Sequence, residues 1–259
     1  MSKPVIGITA GRKIEEYAKY PEAIELAGGV PEFLNMEKNS PAELEEIVAR
    51  FDGILFTGGW DIHPDYYPSR ANPGDESLST DDLLTEYHMT CTPERDAFEI
   101  PLASLAYEKK LAMLGICRGF QVMNVALGGG LIKDVRTSLR HRAYVEADAP
   151  KHEPGTSAMH GVSVDLNSRF YHITWTWPCV VNSRHHQGIT LKEMSPKLKA
   201  SAFAPDGIVE AVEATEHPWA IAVQWHPERQ ADEYVYEPCK ALFRAFVAAA
   251  RLYSSPKSS

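Results

Sequence analysis

Cysteine is scarce in this chain of 259 residues, and no two cysteines stand in a Cys-X-X-Cys spacing. Disulfide frameworks and zinc sites need paired or regularly spaced cysteines, so we expect neither, and we predict no bound metal. Free thiols are typical of a reducing compartment, so the expected location is the cytoplasm. The four cysteines are Cys91, Cys117, Cys179 and Cys239.

Positive charge and long apolar runs are also in short supply. The net charge is −9 and the sequence has no basic tract. Binding to nucleic acid or to an anionic membrane is therefore disfavoured. The apolar run near the N-terminus ends at Gly11-Arg12-Lys13 after only a few residues, too few for a signal peptide or a membrane-spanning helix.

Strand-like and helix-like segments alternate in the first half of the chain. The apolar runs Val5–Ile8 and Phe51–Phe56 predict buried strands, and Tyr17–Ala27 and Glu43–Arg50 predict helices. This alternation is typical of a parallel sheet covered by helices on both faces. Residues 61–92 are rich in Pro, Asp, Ser and Tyr without a clear period, so we predict a long functional loop there.

The second half of the chain consists of short strands separated by turns. Asp206-Gly207 predicts a hairpin, and an apolar face on Pro238–Leu252 predicts a final helix. No linker or internal repeat divides the sequence, which favours one α/β domain over residues 1–253 with a disordered tail at 254–259. The predicted strands are Val162–Val164, Trp175–Val181, Ala200–Phe203, Gly207–Val212 and Ala220–Trp225.

The segment around Cys117 has the pattern of a nucleophile elbow. An apolar run ends at a glycine, Cys117 follows at a turn, and a helical pattern begins at once. Gly115 and Gly119 flank the turn and allow close approach of strand and helix. A thiol at a helix N-terminus is shifted toward the thiolate, which suits a nucleophile. The alternative is a buried structural cysteine.

Two further segments fit a cysteine nucleophile. An apolar run leads to His226, which suits a general base, and Glu228 is placed to orient its imidazole. Gly58-Gly59 follows a predicted strand, and a backbone N–H there could join that of Arg118 in an oxyanion hole. Each pattern has an ordinary alternative: an incidental histidine, since the chain has ten, or a plain turn.

The adjacent histidines His185 and His186 invite a metal interpretation. Neighbouring residues on a strand point to opposite faces, so the two side chains would not easily share one ion. A polar turn that recognises substrate is the preferred interpretation of residues 182–187, and a solvated loop is the alternative.

The order of these motifs resembles the class I glutamine amidotransferase superfamily, and within it the γ-glutamyl hydrolase branch typified by γ-glutamyl-γ-aminobutyrate hydrolases of putrescine catabolism. The resemblance runs from Val5 to about Val247. It rests on TGGWDIHPDYY, ERDAFE, GICRGFQVMNVALGGGLIKD, VNSRHHQGI, APDGIVEAVE and VQWHPE.

The resemblance implies a flavodoxin-like α/β fold: a mostly parallel central sheet with helices on both faces and a small antiparallel sheet. It implies a catalytic triad of Cys117, His226 and Glu228, with oxyanion N–H groups at Gly59 and Arg118. Arg95, Asp96 and Glu99 are expected to be structural or to line the pocket. The implied substrate-binding residues are Gln121, Asn182, Ser183, His185, His186 and Trp60.

Two residues depart from the family pattern. Thr57 stands where a proline is common, and Trp60 stands where a small residue is common. The bulk of Trp60 is expected to reshape the side of the site that holds the leaving group. The identity of the departing amine is therefore open.

The expected activity is hydrolysis of a γ-glutamyl amide through a thioester, on a small-molecule substrate, without a cofactor and with a homodimer as a possible assembly. Two alternatives remain. One is a glutaminase subunit that supplies ammonia to a separate synthetase, with the same chemistry. The other is a catalytically inactive binding module on the same fold.

Overall fold

One sheet organises the molecule. In this computed structural model the described residues are 2–35, 43–68, 75–135, 158–174 and 179–253. Within them, nine strands form a sheet in the order β2-β1-β3-β4-β9-β8-β7-β5-β6. The strands are β1 Val5–Ala10, β2 Val30–Asn35, β3 Gly53–Phe56, β4 Ala112–Ile116, β5 Ala158–Val164, β6 Cys179–Ser183, β7 Leu198–Phe203, β8 Val209–Ala214 and β9 Ala220–Val223.

Helices cover both faces of this sheet, as predicted. Two separate apolar clusters lie on its two faces, one involving α1 and α7 and the other α2, α4 and α5. None of the helices described here combines the length and apolar character needed to cross a membrane. The helices are α1 Lys19–Leu26, α2 Leu44–Arg50, α3 Thr80–Glu86, α4 Pro93–Glu108, α5 Arg118–Ala126, α6 Arg169–Thr174 and α7 Glu233–Tyr253.

The parallel part of the sheet positions the functional segments. Strands β2, β1, β3, β4 and β9 run parallel, and β3, β4 and β9 are consecutive neighbours. In register, Phe56 pairs with Gly115, and Gly115 pairs with Ala222. The carboxyl ends of these three strands therefore meet at one edge, where open α/β sheets place their ligands.

The remaining strands are antiparallel and extend the same sheet beyond β9. Strands β7 and β8 form the predicted hairpin at Asp206-Gly207, where Gly207 has a φ of +91°. A side chain adopts such a left-handed conformation only at a cost, and glycine avoids that cost.

Several sequence-based boundaries need correction. Strand β2 was not predicted. Residues 61–92 are not a continuous loop, because Ser79 and Asp82 form a capping box that starts α3. The apolar strand before His226 ends at Val223. Strand β6 extends to Ser183, and residues 175–178 of the predicted strand lie outside the described residues, as does the tail at 254–259.

Two glycines let the elbow segment pack against the sheet. A Cβ on Gly115 would lie 2.7 Å from the Gly119 carbonyl oxygen, and a Cβ on Gly119 would overlap the carbonyl group of Phe56. Neither neighbour is a flexible side chain that could move aside. Close approach of β3, β4 and α5 therefore requires both glycines.

We predict that Gly119→Ala lowers the free energy of unfolding by about 1–3 kcal/mol, because an added methyl group forces backbone to shift in a packed core. Urea denaturation measures this change. Gly161→Ala is the matched control, since a Cβ on Gly161 meets nothing closer than 4.0 Å. Equal effects of the two substitutions would contradict the packing role of Gly119.

Candidate active site

Cys117 occupies a strained turn between β4 and α5. Its φ is +53° and its ψ is −105°, which is unusual for a residue with a side chain. Its N–H donates to the Val223 carbonyl oxygen at 2.9 Å, which ties the turn to β9. The strand–turn–helix layout predicted from the sequence is confirmed. Cys117 lies directly before the first residue of α5, where the helix dipole favours a negative charge.

His226 is held in place through both its ring and its backbone. Its Nδ1 lies 2.7 Å from Glu228 Oε1. Its N–H donates to Asn182 Oδ1 at 2.7 Å, and its carbonyl oxygen accepts from Asn182 Nδ2 at 2.9 Å. Asn182 Nδ2 also donates to Asp232 at 2.8 Å. The imidazole is therefore fixed by Glu228, and its main chain by Asn182.

Asn182 has a different set of partners from the one the sequence suggests. The resemblance assigns it to substrate binding, yet it is fully buried and its carboxamide contacts the His226 main chain and Asp232. In this structure its direct contacts serve the orientation of His226.

The Cys117 thiol and the His226 imidazole are electrostatically coupled, and each changes the pKa of the other. Burial alone raises the pKa of the Cys117 thiol, but the charge and hydrogen bond of His226 outweigh it and lower that pKa overall. Burial lowers the pKa of His226, but the charges of Glu228 and Cys117 outweigh it and raise that pKa. The favoured state is a thiolate beside an imidazolium.

The Gly58-Gly59 turn lies against the same group of residues. A Cβ on Gly58 would lie 2.9 Å from His226 Cε1, and a Cβ on Gly59 would lie 3.2 Å from Arg118 Cδ. Gly59 and Arg118, predicted to supply the oxyanion N–H groups, are thus neighbours in space. Arg118 is the first residue of α5, and such residues have no intrahelical acceptor for their N–H groups.

Tyr20 lies between the Gly58-Gly59 turn and the Glu228 carboxylate. Its hydroxyl oxygen accepts the Gly58 N–H at 3.0 Å. Burial, followed by the nearby charge of Glu228, raises the pKa of Tyr20 well above its ordinary value, so the hydroxyl lies close to that carboxylate. No local sequence pattern indicates this role, because one buried tyrosine on an amphipathic helix is indistinguishable from a core residue.

A buried ionic network contacts the Gly58-Gly59 turn through Arg95. Arg95 hydrogen-bonds to Glu99, to the Gly58 carbonyl oxygen at 3.0 Å and to Thr57 Oγ1 at 2.9 Å. Arg118 hydrogen-bonds to Glu99 and to Asp96. Two arginines and two carboxylates balance in charge, and buried charges need such pairing. The network joins α4, α5 and the glycine turn.

Thr57, the first departure from the family pattern, takes part in this network. Its hydroxyl donates to the Thr9 carbonyl oxygen at 2.7 Å, and its N–H donates to Thr9 Oγ1 at 3.2 Å. A proline could make neither bond. Thr57 therefore joins the end of β3 to β1 through its side chain and its backbone.

The segment after β6 brings the other predicted substrate residues together. Gln121 is buried, and its amide nitrogen donates to the Gln187 carbonyl oxygen at 3.1 Å. Ser183 is buried at the end of β6. His185 turns inward to within 3.7 Å of Glu210, whereas His186 lies 2.7 Å from Asp61.

The two histidines therefore face different carboxylates, His185 facing Glu210 and His186 facing Asp61. Among the residues that the structure describes, no group of three or more His, Cys, Asp or Glu side chains is arranged to hold a metal.

Trp60, the second departure, is 65% exposed. It borders a cleft of about 500 Å³ that is also lined by Arg12, Lys13, Tyr17 and Glu94. This cleft lies beside the glycine turn, since Arg95 lines it too. The role of Trp60 in shaping the leaving-group side stays a prediction.

A model of the peptidase C26 family matches residues 4–228. The chain belongs to the peptidase C26 family. The predicted resemblance to glutamine amidotransferase-like proteins of the γ-glutamyl hydrolase branch is confirmed.

Members and structural neighbours of the family agree with this assignment. The chain is 32% identical to the γ-glutamyl-γ-aminobutyrate hydrolase of Escherichia coli O157:H7, over 99% of this chain and 97% of the relative. It is 30% identical to a Rickettsia prowazekii protein that is named only as glutamine amidotransferase-like, over 96% of this chain and 98% of the relative. The glutaminase domain of Trypanosoma brucei CTPS, solved with bound acivicin, matches 98% of this chain and 97% of its own with a TM-score of 0.60 at 17% identity.

These relationships establish the general class of activity of the protein. The peptidase C26 match and the hydrolase relative make it a glutamine amidotransferase-like hydrolase that acts on amides. The structural neighbour confirms the predicted fold.

We predict that Tyr20→Phe lowers kcat/KM at least about tenfold, because a buried N–H without an acceptor costs about 1–3 kcal/mol. The ring packing is kept, so the free energy of unfolding should change less than kcat/KM does. Steady-state hydrolysis of a γ-glutamyl amide measures the effect. Tyr107→Phe, on α4, removes a hydroxyl away from this turn and serves as the control. Wild-type kinetics in Tyr20→Phe would refute the link.

Proposed function

We propose that the chain hydrolyses a γ-glutamyl amide to glutamate and a free amine, with Cys117, His226 and Glu228 as its catalytic triad. The observation that carries the proposal is the strained elbow that presents a buried thiolate to an imidazole, which is itself held by a carboxylate. This is the arrangement that activates a cysteine nucleophile.

The first half of the reaction transfers the γ-glutamyl group to the enzyme. The Cys117 thiolate forms a C–S bond to the γ-carbonyl carbon, and the carbonyl electron pair moves onto oxygen. The N–H groups of Gly59 and Arg118 donate to this oxyanion. When the oxyanion collapses, the C–N bond breaks and the proton of the His226 imidazolium passes to the leaving nitrogen.

The second half returns the enzyme to its starting state. A water molecule attacks the thioester carbon and gives one proton to neutral His226. The second tetrahedral intermediate collapses with cleavage of the C–S bond. Glutamate leaves, and the thiolate–imidazolium pair is restored. Glu228 orients His226 throughout the reaction.

Two observations favour a stand-alone hydrolase. The relative that is named a γ-glutamyl-γ-aminobutyrate hydrolase covers 99% of this chain and is itself covered over 97% of its length. The cleft beside Trp60 also offers room for a leaving group larger than ammonia. A γ-glutamyl derivative of an amine such as γ-aminobutyrate is therefore the proposed substrate.

A glutaminase subunit is the second candidate. It is supported by the relative named only as glutamine amidotransferase-like. Hydrolysis rates for γ-glutamyl-γ-aminobutyrate, other γ-glutamyl amines and free glutamine separate the candidates. The proposed hydrolase prefers γ-glutamyl amines, whereas exclusive use of glutamine would establish the glutaminase.

We predict that Cys117→Ala lowers kcat by about 10⁴-fold or more, the scale of losing a catalytic nucleophile. Release of glutamate from the best substrate of that panel measures the change. Cys239→Ala is the control, because Cys239 lies on α7, outside both the proposed triad and the cleft beside Trp60, and should leave kcat unchanged. Substantial activity in Cys117→Ala would exclude the thioester mechanism.

The reactivity of Cys117 is also expected to depend on pH. The ion pair exists between the lowered pKa of Cys117 and the raised pKa of His226, which is about 10; it is lost as the pH falls through the first or rises through the second. His226→Asn should return the thiol pKa toward its ordinary value of about 8.5 and slow alkylation at pH 7 about tenfold.

The pH dependence of Cys117 alkylation by iodoacetamide, followed by peptide mass spectrometry, reports this shift. His217→Asn is the control, because His217 stacks on Tyr107 at 4.9 Å and has no place in the proposed triad. An unchanged alkylation profile in His226→Asn would contradict the ion pair.

A further inference from the structure

A second carboxylate–histidine group is buried on strands next to the elbow. The Glu210 carbonyl oxygen accepts the Gln224 N–H at 2.8 Å, and the neighbouring Val223 carbonyl oxygen accepts the Cys117 N–H at 2.9 Å. Glu210 on β8 is fully buried. Its Oε1 lies 3.7 Å from Nε2 of His185, which follows β6, and 3.6 Å from Nε2 of His160 on β5. These separations are longer than hydrogen bonds, so the attraction is one of charge.

The surroundings of His185 favour its charged form. Its Nδ1 lies 2.8 Å from the Gln187 carbonyl oxygen, which can only accept a hydrogen bond. Its Nε2 faces the Glu210 carboxylate, which attracts a protonated nitrogen. Both ring nitrogens therefore face groups that favour an attached proton, and a ring with both protons is an imidazolium.

The single carboxylate of Glu210 can balance the charge of one protonated histidine. His185 is favoured over His160 to carry that charge. Burial lowers the pKa of His185, but its interactions with Glu210 and then with Cys117 outweigh burial and raise it. For His160, burial dominates and lowers the pKa despite Glu210. The third group near Glu210 is Cys179, whose pKa is raised to about 11, chiefly by burial, and which is neutral at pH 7.

Cys117 is affected by this group. The groups that act on its thiol are His226 and His185, which favour the thiolate, and Glu228, which opposes it. His226 must give up its proton in each turnover. His185 has no such task, so its charge stays constant during the reaction.

We propose that Glu210 is a positioning residue that holds His185 as a permanent buried cation, and that this cation stabilises the Cys117 thiolate independently of His226. Its value for catalysis rests on the proposed function. When His226 has delivered its proton and become neutral, the charge of His185 still favours sulfur as the leaving group in the second half of the reaction.

The test is the pH dependence of Cys117 alkylation in the full chain carrying Glu210→Gln. The substitution removes a negative charge, which by itself would lower the thiol pKa. If Glu210 keeps His185 charged, the loss of the cation dominates and the thiol pKa rises by about one unit. Alkylation at a pH below the thiol pKa then slows about tenfold.

Two further variants complete the test. Glu213→Gln removes another carboxylate of β8, one whose Oε2 accepts the Phe170 N–H at 3.2 Å and does not contact His185, and it should leave the alkylation profile unchanged. His185→Gln removes the cation directly and should raise the thiol pKa at least as much as Glu210→Gln does. An unchanged or lowered thiol pKa in Glu210→Gln would overturn the proposal.

A measurement on the wild-type chain covers the case in which Glu210→Gln fails to fold. Titration of ¹³C-labelled histidine rings by NMR, assigned with His185→Gln, should show His185 still protonated above the ordinary histidine pKa of about 6.5. Loss of its proton at or below that pH would also overturn the proposal. Because neither alkylation nor NMR uses a γ-glutamyl substrate, failure of the proposed hydrolysis would be visible separately.

Discussion

The electrostatic coupling of the buried Cys117 thiol to the His226 imidazole is the constraint on which the rest of the site depends. A buried anion is costly without a cation close by, and a buried cation is costly without an anion. Glu228 holds the ring of His226, and Asn182 holds its main chain. The elbow fixes the thiol through a backbone conformation that the sheet and α5 enforce from both sides.

The Gly58-Gly59 turn is connected to the proposed catalytic residues through a tyrosine hydroxyl. Tyr20 contacts both the Gly58 N–H and Glu228, so one hydroxyl joins the proposed oxyanion hole to the proposed triad. Below the turn, Arg95 and Arg118 are neutralised by buried carboxylates. The Arg95 guanidinium also binds the Gly58 carbonyl oxygen at 3.0 Å and so helps to position the glycine turn.

The sequence was sufficient for the fold class and for the elbow, because apolar runs, glycines and a cysteine at a turn are local signals. It was insufficient for long-range partners. Tyr20, Asn182 and Glu210 act through contacts with residues distant along the chain, and no local pattern reports these contacts. Helix α3 was missed because its start depends on a capping box inside a stretch otherwise rich in loop-forming residues.

The most direct test of the account is to trap the covalent intermediate. The wild-type chain is mixed with γ-glutamyl-γ-aminobutyrate, quenched in acid during turnover and digested for peptide mass spectrometry. The account predicts a γ-glutamyl group on Cys117, absent when Cys117 is replaced by alanine. Steady turnover of this substrate with no acyl group on Cys117 at any quench time, and with activity retained in Cys117→Ala, would contradict it.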